Sequence, residues 1–474
     1  MADSTKNERI LVLKNARILT MCGEKPDIFK GSVVIRGNRI EKVLRGDDGN
    51  DFLHLTAGAE DGSNSMQAPA GAEADSTSLQ IPAGAEVRDC GGNLLMPGFK
   101  DAHTHSAMTF LRSSADDMPL QDWLTQQVFP YEAQLKPEEI AELSKLAILE
   151  YLTSGITSVM EMYLTPESIA PAFEEMGMRL VQVGGCNNFS QSPELLEKWY
   201  RELNGKSSLT SFRLGFHAQY TCSDELLNKI ADLAHEFKAP VYTHISETAA
   251  EVESCKAQYD GKTPVRVLAE KGIFDYGGAG YHLVHTTPDD WEIMKEHHIA
   301  VVTNPGSNTK LASGIAPIAD YLRLGIPVAI GTDGPASNNC LDMFREMFLV
   351  TGLAKLREKD ASAVPAYEVL KMATSNGAHV MGIPDADSIA PGKLADLVLL
   401  DLHQPNMQPI NNIASNIVYS GSKLNVIMTM VDGQILYSRD ENGAMKFTYG
   451  EDKVNEIYET CNRMKDRIRS AVKA

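Results

Sequence analysis

Two histidines one residue apart, His103 and His105, end the stretch Met96-Pro97-Gly98-Phe99-Lys100-Asp101-Ala102-His103-Thr104-His105. Side chains alternate along a strand, so this spacing puts both imidazoles on one face, roughly 7 Å apart at their backbones and able to converge on one ion. Alone, such a pair is also what two polar residues at a strand end look like. Three later features change that reading: His244 with Glu247, His282 with His285, and Asp333 within Gly331-Thr332-Asp333-Gly334. His244 closes the apolar run Pro240-Val241-Tyr242-Thr243, and Glu247 follows where the chain turns into a loop. A metal on His244 would then have beside it a carboxylate able to move protons. Asp333 ends a buried run, Val328-Ala329-Ile330-Gly331-Thr332. An unpaired carboxylate is costly there unless it meets a cation, and a metal is one.

These residues need a scaffold that brings distant strand ends together. From about Gly98 to Gly377, short apolar runs alternate with helical segments. Strands are expected at 98–105, 156–162, 179–183, 213–217, 240–245, 280–285, 300–304 and 327–333. Helices are expected between them, as at 137–153, 223–237, 264–271 and 288–297, several opening on Ser or Pro with acidic residues, as helix starts do. Eight such units imply a (β/α)8 TIM barrel at 96–385, which puts the candidate ligands at the strands' C-terminal ends. Short strands with turns at Ile10 to Val43 and again at Ala395 to Tyr437 are expected to meet in one small β-sandwich domain, built from 1–95 and 386–440. Within it, residues 46–86 repeat Ala-Gly-Ala-Glu three times at a spacing of 13 among Ser, Asn, Asp and Thr. So little apolar surface predicts a disordered insertion. The tail, 441–474, spaces Val454, Ile457, Cys461 and Met464 as a surface helix packed on the body.

A chain of 474 residues with 43% hydrophobic and 23% charged residues has room for a barrel and a second domain. Its net charge of −19 excludes a nucleic-acid backbone or an anionic membrane as the expected partner, because both require a cationic surface. A small-molecule substrate is expected. The seven cysteines are scattered and contain no Cys-x-x-Cys pair, so neither a disulfide framework nor a thiolate zinc site is indicated. With no signal core and no spanning apolar run, a cytoplasmic protein is expected.

Pro97-Gly98-Phe99 running into His103 and His105, His244-x-x-Glu247, His282 with His285, Asn304-Pro305-Gly306-Ser307-Asn308 and Gly331-Thr332-Asp333-Gly334-Pro335-Ala336-Ser337-Asn338-Asn339 together resemble the amidohydrolase superfamily. The pattern is most similar to its aminohydrolase branch, which holds nucleoside deaminases, guanine deaminase and s-triazine hydrolases. The resemblance spans roughly Ile10 to Leu436, apart from the insertion. It implies one divalent metal, zinc or alternatively iron, held by His103, His105, His244 and Asp333. It implies that His282 hydrogen-bonds the attacking water or stands as a further imidazole near the ion, and that His285 is a pocket-wall or packing residue. The fourth strand carries His217 where two-metal relatives use a neighbouring lysine, so one metal is expected. Asp333 would take the water's proton and Glu247 would protonate the ring nitrogen next to the carbon that loses ammonia. Arg112, Trp123, Pro130 and Glu132 stand where the nucleoside deaminases have similar residues. Glu132 would grip ribose hydroxyls and His217 would contact the purine. Members that accept S-adenosylhomocysteine carry an arginine where this chain has Gly184, which points to a neutral 5′-substituted or plain adenosine. The alternatives are an aminohydrolase or chlorohydrolase of another heterocycle (guanine, a pterin, an s-triazine) and, more remotely, a non-catalytic barrel scaffold. The resemblance also implies a homo-oligomer.

Overall fold

The computed structural model describes residues 9–46, 84–114 and 116–473. The apolar runs form eight parallel strands, Phe99–Thr104, Ile156–Met162, Arg179–Val183, Thr210–Ala218, Val241–Ile245, Gly278–His282, Ile299–Thr303 and Val328–Ile330, paired in sequence order in one sheet. Every residue of the second is buried, as in a parallel sheet covered on both faces. The sheet comes round on itself: the Asp333 N–H donates to the His103 carbonyl at 2.9 Å, and the Asp101 carboxylate accepts from the N–H and hydroxyl of Thr332 at 2.8 and 2.6 Å. Gly331 is needed at this seam, since a β-carbon there would lie 2.4 Å from Asn304 Oδ1 and 2.8 Å from His103 Cβ. The (β/α)8 barrel therefore stands as expected. Its interior below the site is filled by Ala102, Met160, Val181, Tyr242, Ala279, Tyr281 and Val302.

The helices start where the sequence signals a cap. Ser223 Oγ accepts the Leu226 N–H at the head of Asp224–Phe237, and Thr287 with Asp290 caps Pro288–Glu296 reciprocally, satisfying donors that the helix cannot satisfy itself.

The chain ends meet in one nine-stranded sheet. Leu94–Pro97 pairs parallel with Ile10–Leu19 and antiparallel with Leu397–Leu400, so the C-terminal strands attach directly ahead of the first barrel strand. Arg179 pins this sheet to the barrel through Asp396 at 2.6 Å and Asp432 at 3.1 Å, all three buried. The final helix, Glu451–Lys473, packs on Pro137–Thr153 through Val454, Ile457 and Cys461 and through Arg467 to Glu139. No helix of the described residues is long and apolar enough to cross a membrane.

Several boundaries shift. Met96 and Pro97 stay in the sheet, so the barrel begins at Phe99. The insertion expected at 46–86 lies, for residues 47–83, outside the described residues. Its end at Glu86 is instead the start of a strand, Glu86–Asp89, parallel to Ile10–Leu19. Met445–Phe447 adds an edge strand to the sheet before the last helix begins. The sixth barrel strand stops at His282, not His285, because His282 and Leu283 both take left-handed backbone, φ 71° and 45°, which cannot continue a strand.

Candidate active site

His103, His105, His244, His282 and Asp333 come from the first, fifth, sixth and eighth strands and meet at the C-terminal mouth of the barrel. Hydrogen bonds aim the ring nitrogens. His105 Nδ1 faces the Met162 carbonyl at 2.5 Å and His244 Nδ1 faces the His217 carbonyl at 2.6 Å. Each Nδ1 is thus engaged by backbone and each Nε2 points inward, the arrangement that orients imidazole for a metal. His103 Nε2 lies 3.0 Å from His244 Nε2, and Asp333 Oδ1 lies 3.2 Å from His105 Nε2 and 3.6 Å from His103 Nε2. Tetrahedral ligands at zinc distances stand roughly 3.4 Å apart. Groups held this close must share either protons or a cation, and their spacing fits one divalent ion. The groups able to hold an ion among the described residues, His103/His105/His244 and His103/His282/Asp333, share His103 and describe one centre. The His103 ring is held from below by Tyr281, stacked at 3.7 Å.

Charge in this cluster follows burial first and neighbours second. Burial and the surrounding imidazoles push His103 and His244 well below the usual histidine value, which keeps them neutral ligands. Burial opposes charge on Asp333, yet its hydrogen bond to His105 and the other nearby imidazoles hold it well below the carboxylate range. Against burial, Asp333 raises His105 to about 9. Burial, reinforced by Asp333 and opposed by His282, raises Glu247.

Glu247 sits over the cluster, Oε2 3.8 Å from His282 Nε2, with Oε1 accepting from Ser313 Oγ at 3.3 Å. His282 is fixed by Asn308 Oδ1 at 2.8 Å and Asn304 Nδ2 at 3.3 Å. His285 does not line the cavity. Its Nε2 meets the Ser313 carbonyl at 2.6 Å, so it packs as expected and also holds the residue that faces Glu247.

These groups open into a cavity of about 480 Å³ that Glu132 and His217 also line. Burial drives His217 down to about 4 and Glu132 up to about 7. His217 Nδ1 meets Thr221 Oγ1 at 3.1 Å. The outer wall is Leu120, Trp123, Leu124, Val128, Phe129, Leu164 and Phe189, and the described lining includes no lysine or arginine. Arg112 is engaged by Glu150 outside the cavity. Gly184 is not the cavity position that the sequence suggests: a β-carbon there would lie 2.2 Å from Leu196 Cδ1, while its neighbour Gly185 lines the cavity.

Sequence reasoning missed several supports. Glu251, in the first turn of Ala249–Gln258, takes the Ser246 and Glu247 N–H groups on its two oxygens at 2.7 and 2.8 Å. Glu161 takes the Ser106 N–H beside His105 at 2.9 Å. Tyr163 lines the cavity next to Glu132. An acid three residues after a Thr cap was a readable signal for Glu251. Ser313 and Tyr163 have none.

A barrel with imidazoles and an aspartate at its C-terminal mouth, beside a buried glutamate, carries the donor set of a metal-dependent hydrolase. The amidohydrolase family model matches residues 94–436, and the chain belongs to that family. It is 40% identical over 378 residues to a 5-methylthioadenosine/S-adenosylhomocysteine deaminase of Syntrophomonas wolfei, covering 78% of this chain and 86% of that one. It is 41% identical over 356 residues to the protein of the same name in Caldanaerobacter subterraneus, covering 73% and 82%. An adenosine deaminase from Xanthomonas campestris, solved with bound zinc, superposes with a TM-score of 0.82 at 29% identity over 98% of this chain and 99% of that one.

Proposed function

We propose that this chain is a metal-dependent hydrolytic deaminase that converts an adenosine-type nucleoside to its inosine analogue and ammonia. The observation that carries the reading is that His105, His244 and Asp333 of the cluster, with Glu247, line the same cavity as Glu132, whose Oε1 is buried. A free base would leave Glu132 idle, whereas a ribose diol gives it two donors. The names of the relatives support the same substrate class.

His103, His105, His244 and Asp333 would hold the ion, zinc on the analogy of the Xanthomonas enzyme, with iron the alternative for the same nitrogen and oxygen donors. A divalent ion there supplies a water acid enough to attack near neutral pH. Asp333 would take the proton of the attacking water as the water's oxygen bonds to the ring carbon bearing the amino group. Attack loads charge on the adjacent ring nitrogen, and Glu247, which burial keeps protonated more readily than a surface glutamate, delivers a proton to it. His282 hydrogen-bonds the attacking oxygen. The carbon–nitrogen bond then breaks as the proton held by Asp333 passes to the departing ammonia, and the proton left on the hydroxyl of the tetrahedral carbon returns to Glu247, restoring both carboxyls. His217, kept neutral by burial, suits the uncharged edge of a purine.

The apolar outer wall and the absence of a described lining cation favour 5′-methylthioadenosine, 5′-deoxyadenosine or adenosine over S-adenosylhomocysteine, whose carboxylate would go unpaired there. The test is ammonia release from these four nucleosides, guanine and a triazine, with zinc-loaded and chelated protein. Chelator-sensitive release from the adenosines is expected. Activity on a free base alone would refute the nucleoside reading.

A further inference from the structure

Among the described residues, three cavity-wall side chains carry buried polar atoms that have no hydrogen-bond partner: Glu132 Oε1, Trp123 Nε1 and Tyr163 Oη. Tyr163 is the informative one. It is 93% buried, being 7% exposed, and its hydroxyl could have been omitted at no cost to packing, because phenylalanine has the same ring. Leaving a hydroxyl buried and unpaired is unfavourable. Tyr242 places its oxygen on the Val380 carbonyl at 2.8 Å and Tyr321 on the Leu283 carbonyl at 2.8 Å; Tyr281, beneath His103, also lacks a partner, but of these unpartnered tyrosine hydroxyls among the described residues only that of Tyr163 belongs to a cavity-lining residue.

Its position is also held. The Tyr163 carbonyl accepts from Gln191 Nε2 at 3.0 Å, and the preceding carbonyl, of Met162, is the one that orients His105. The Tyr163 ring lies 6.3 Å from the His105 ring, so the hydroxyl is set in a fixed relation to the proposed ligands. Glu132 is near enough that, after burial, its charge and its reach as a hydrogen-bond acceptor are the next influences raising Tyr163, yet the two groups do not meet in hydrogen-bond geometry. A carboxylate can only accept, while a phenol can also donate. A ligand with a single carbonyl or amine would satisfy one of the two and leave the other buried and unpaired. Two adjacent hydroxyls satisfy both.

We infer that Tyr163 is a specificity-determining substrate contact: its hydroxyl donates to one oxygen of a vicinal diol whose other hydroxyl donates to Glu132. This assignment rests on the nucleoside reading above. The test is Tyr163→Phe, assayed on adenosine and on 2′,3′-dideoxyadenosine alongside the metal-loaded wild type, with the thermal midpoint of each protein. For adenosine, KM should rise about tenfold with kcat changed by less than about twofold, the loss expected for one neutral hydrogen bond and its unpaired partner. For the dideoxynucleoside the variant and wild type should coincide. Its thermal midpoint should be unchanged or higher, since an unpaired buried hydroxyl is removed. Equal losses on both nucleosides, or a lower midpoint with a fall in kcat, would overturn the assignment and leave the nucleoside reading intact. A wild type silent on both nucleosides would overturn that reading and this assignment together.

Discussion

Replacing Glu247 by glutamine separates the chemistry from the metal. The residue is 7% exposed, and glutamine matches its volume and can keep an oxygen on Ser313 Oγ, which now lies 3.3 Å from Oε1. Burial raises this carboxyl, so losing its charge does not weaken the fold. The proposed ligands are other residues, and metal content should not change. What disappears is the transferable proton. A positioned general acid contributes about 10²- to 10⁴-fold, equivalent to roughly 3 to 5 kcal/mol of barrier, so kcat should fall by that factor with KM within about threefold. Glu247→Asp keeps the proton but withdraws it by about one carbon–carbon bond, ~1.5 Å. A misplacement on the order of 1 Å costs about 10²-fold, so Asp should rank between wild type and Gln. The assay is steady-state ammonia release with metal per chain measured on the same samples. Turnover of the Gln variant within about tenfold of wild type, with metal bound, would refute the proton-transfer role.

Other outcomes follow from the same geometry. Glu251→Gln replaces one of two acceptors with a donor facing an N–H, so the Ser246–Glu247 turn should loosen and kcat fall by about tenfold with metal retained; unchanged kinetics would remove Glu251 from that support. Chelation should abolish turnover and lower the thermal midpoint, because ligand binding to the folded state stabilises it, and zinc should restore both; a midpoint indifferent to metal would count against the cluster as a metal site. S-adenosylhomocysteine should give a kcat/KM at least about tenfold below 5′-methylthioadenosine, a difference on the order of 1.4 kcal/mol; the reverse order would show that the outer cavity accepts a carboxylate after all. Burial raises Glu346 from 4.5 to about 8. The folded chain then binds more protons than the unfolded one between those values, so this contribution to stability is present below pH 4.5 and lost as pH rises through 8. Relative to wild type, Glu346→Gln should therefore gain stability as pH rises across that window in thermal melts, and a pH-independent difference would contradict the shift.

The barrel was legible because its strands are buried on both faces and read as short continuous apolar runs between capped helices. His103, His105, His244, His282 and Asp333 were legible for a related reason: imidazoles and a carboxylate at the ends of such runs are costly to bury unless they share an ion. Strand ends set by backbone were not legible. Nothing in the residue types of His282 and Leu283 announces left-handed φ, so apolar patterning carries the sixth strand three residues too far. Gly184 is a matter of alternation. The third strand ends at Val183, and one residue of offset reverses which side chain faces the cavity, leaving Gly185 as the lining position. Ser313 lies 66 residues from the Glu247 it touches, and no local pattern reports such a meeting of loops.

Those unreadable backbone features have a common location. Ser246, His282, Leu283 and Asp333 all hold positive φ without being glycine, and each such residue costs about 1 to 3 kcal/mol. Each is held by a specific partner. Glu251 takes the N–H of Ser246, Asn308 and Asn304 hold the His282 ring, the Ile245 carbonyl accepts the Leu283 N–H, and the His103 carbonyl accepts the Asp333 N–H. Behind Asp333, Asn338 Nδ2 bridges the Thr332 carbonyl and Glu346 at 2.6 and 2.8 Å, and Glu346 in turn takes the Gly306 N–H at 2.8 Å. Buried acids outside the proposed ligand set thus hold in place the strained strand ends that aim that set. Substitutions at Glu251, Asp101 or Glu346 should consequently lower activity before they unfold the barrel, because the strained turns relax locally while the apolar core beneath them stays packed.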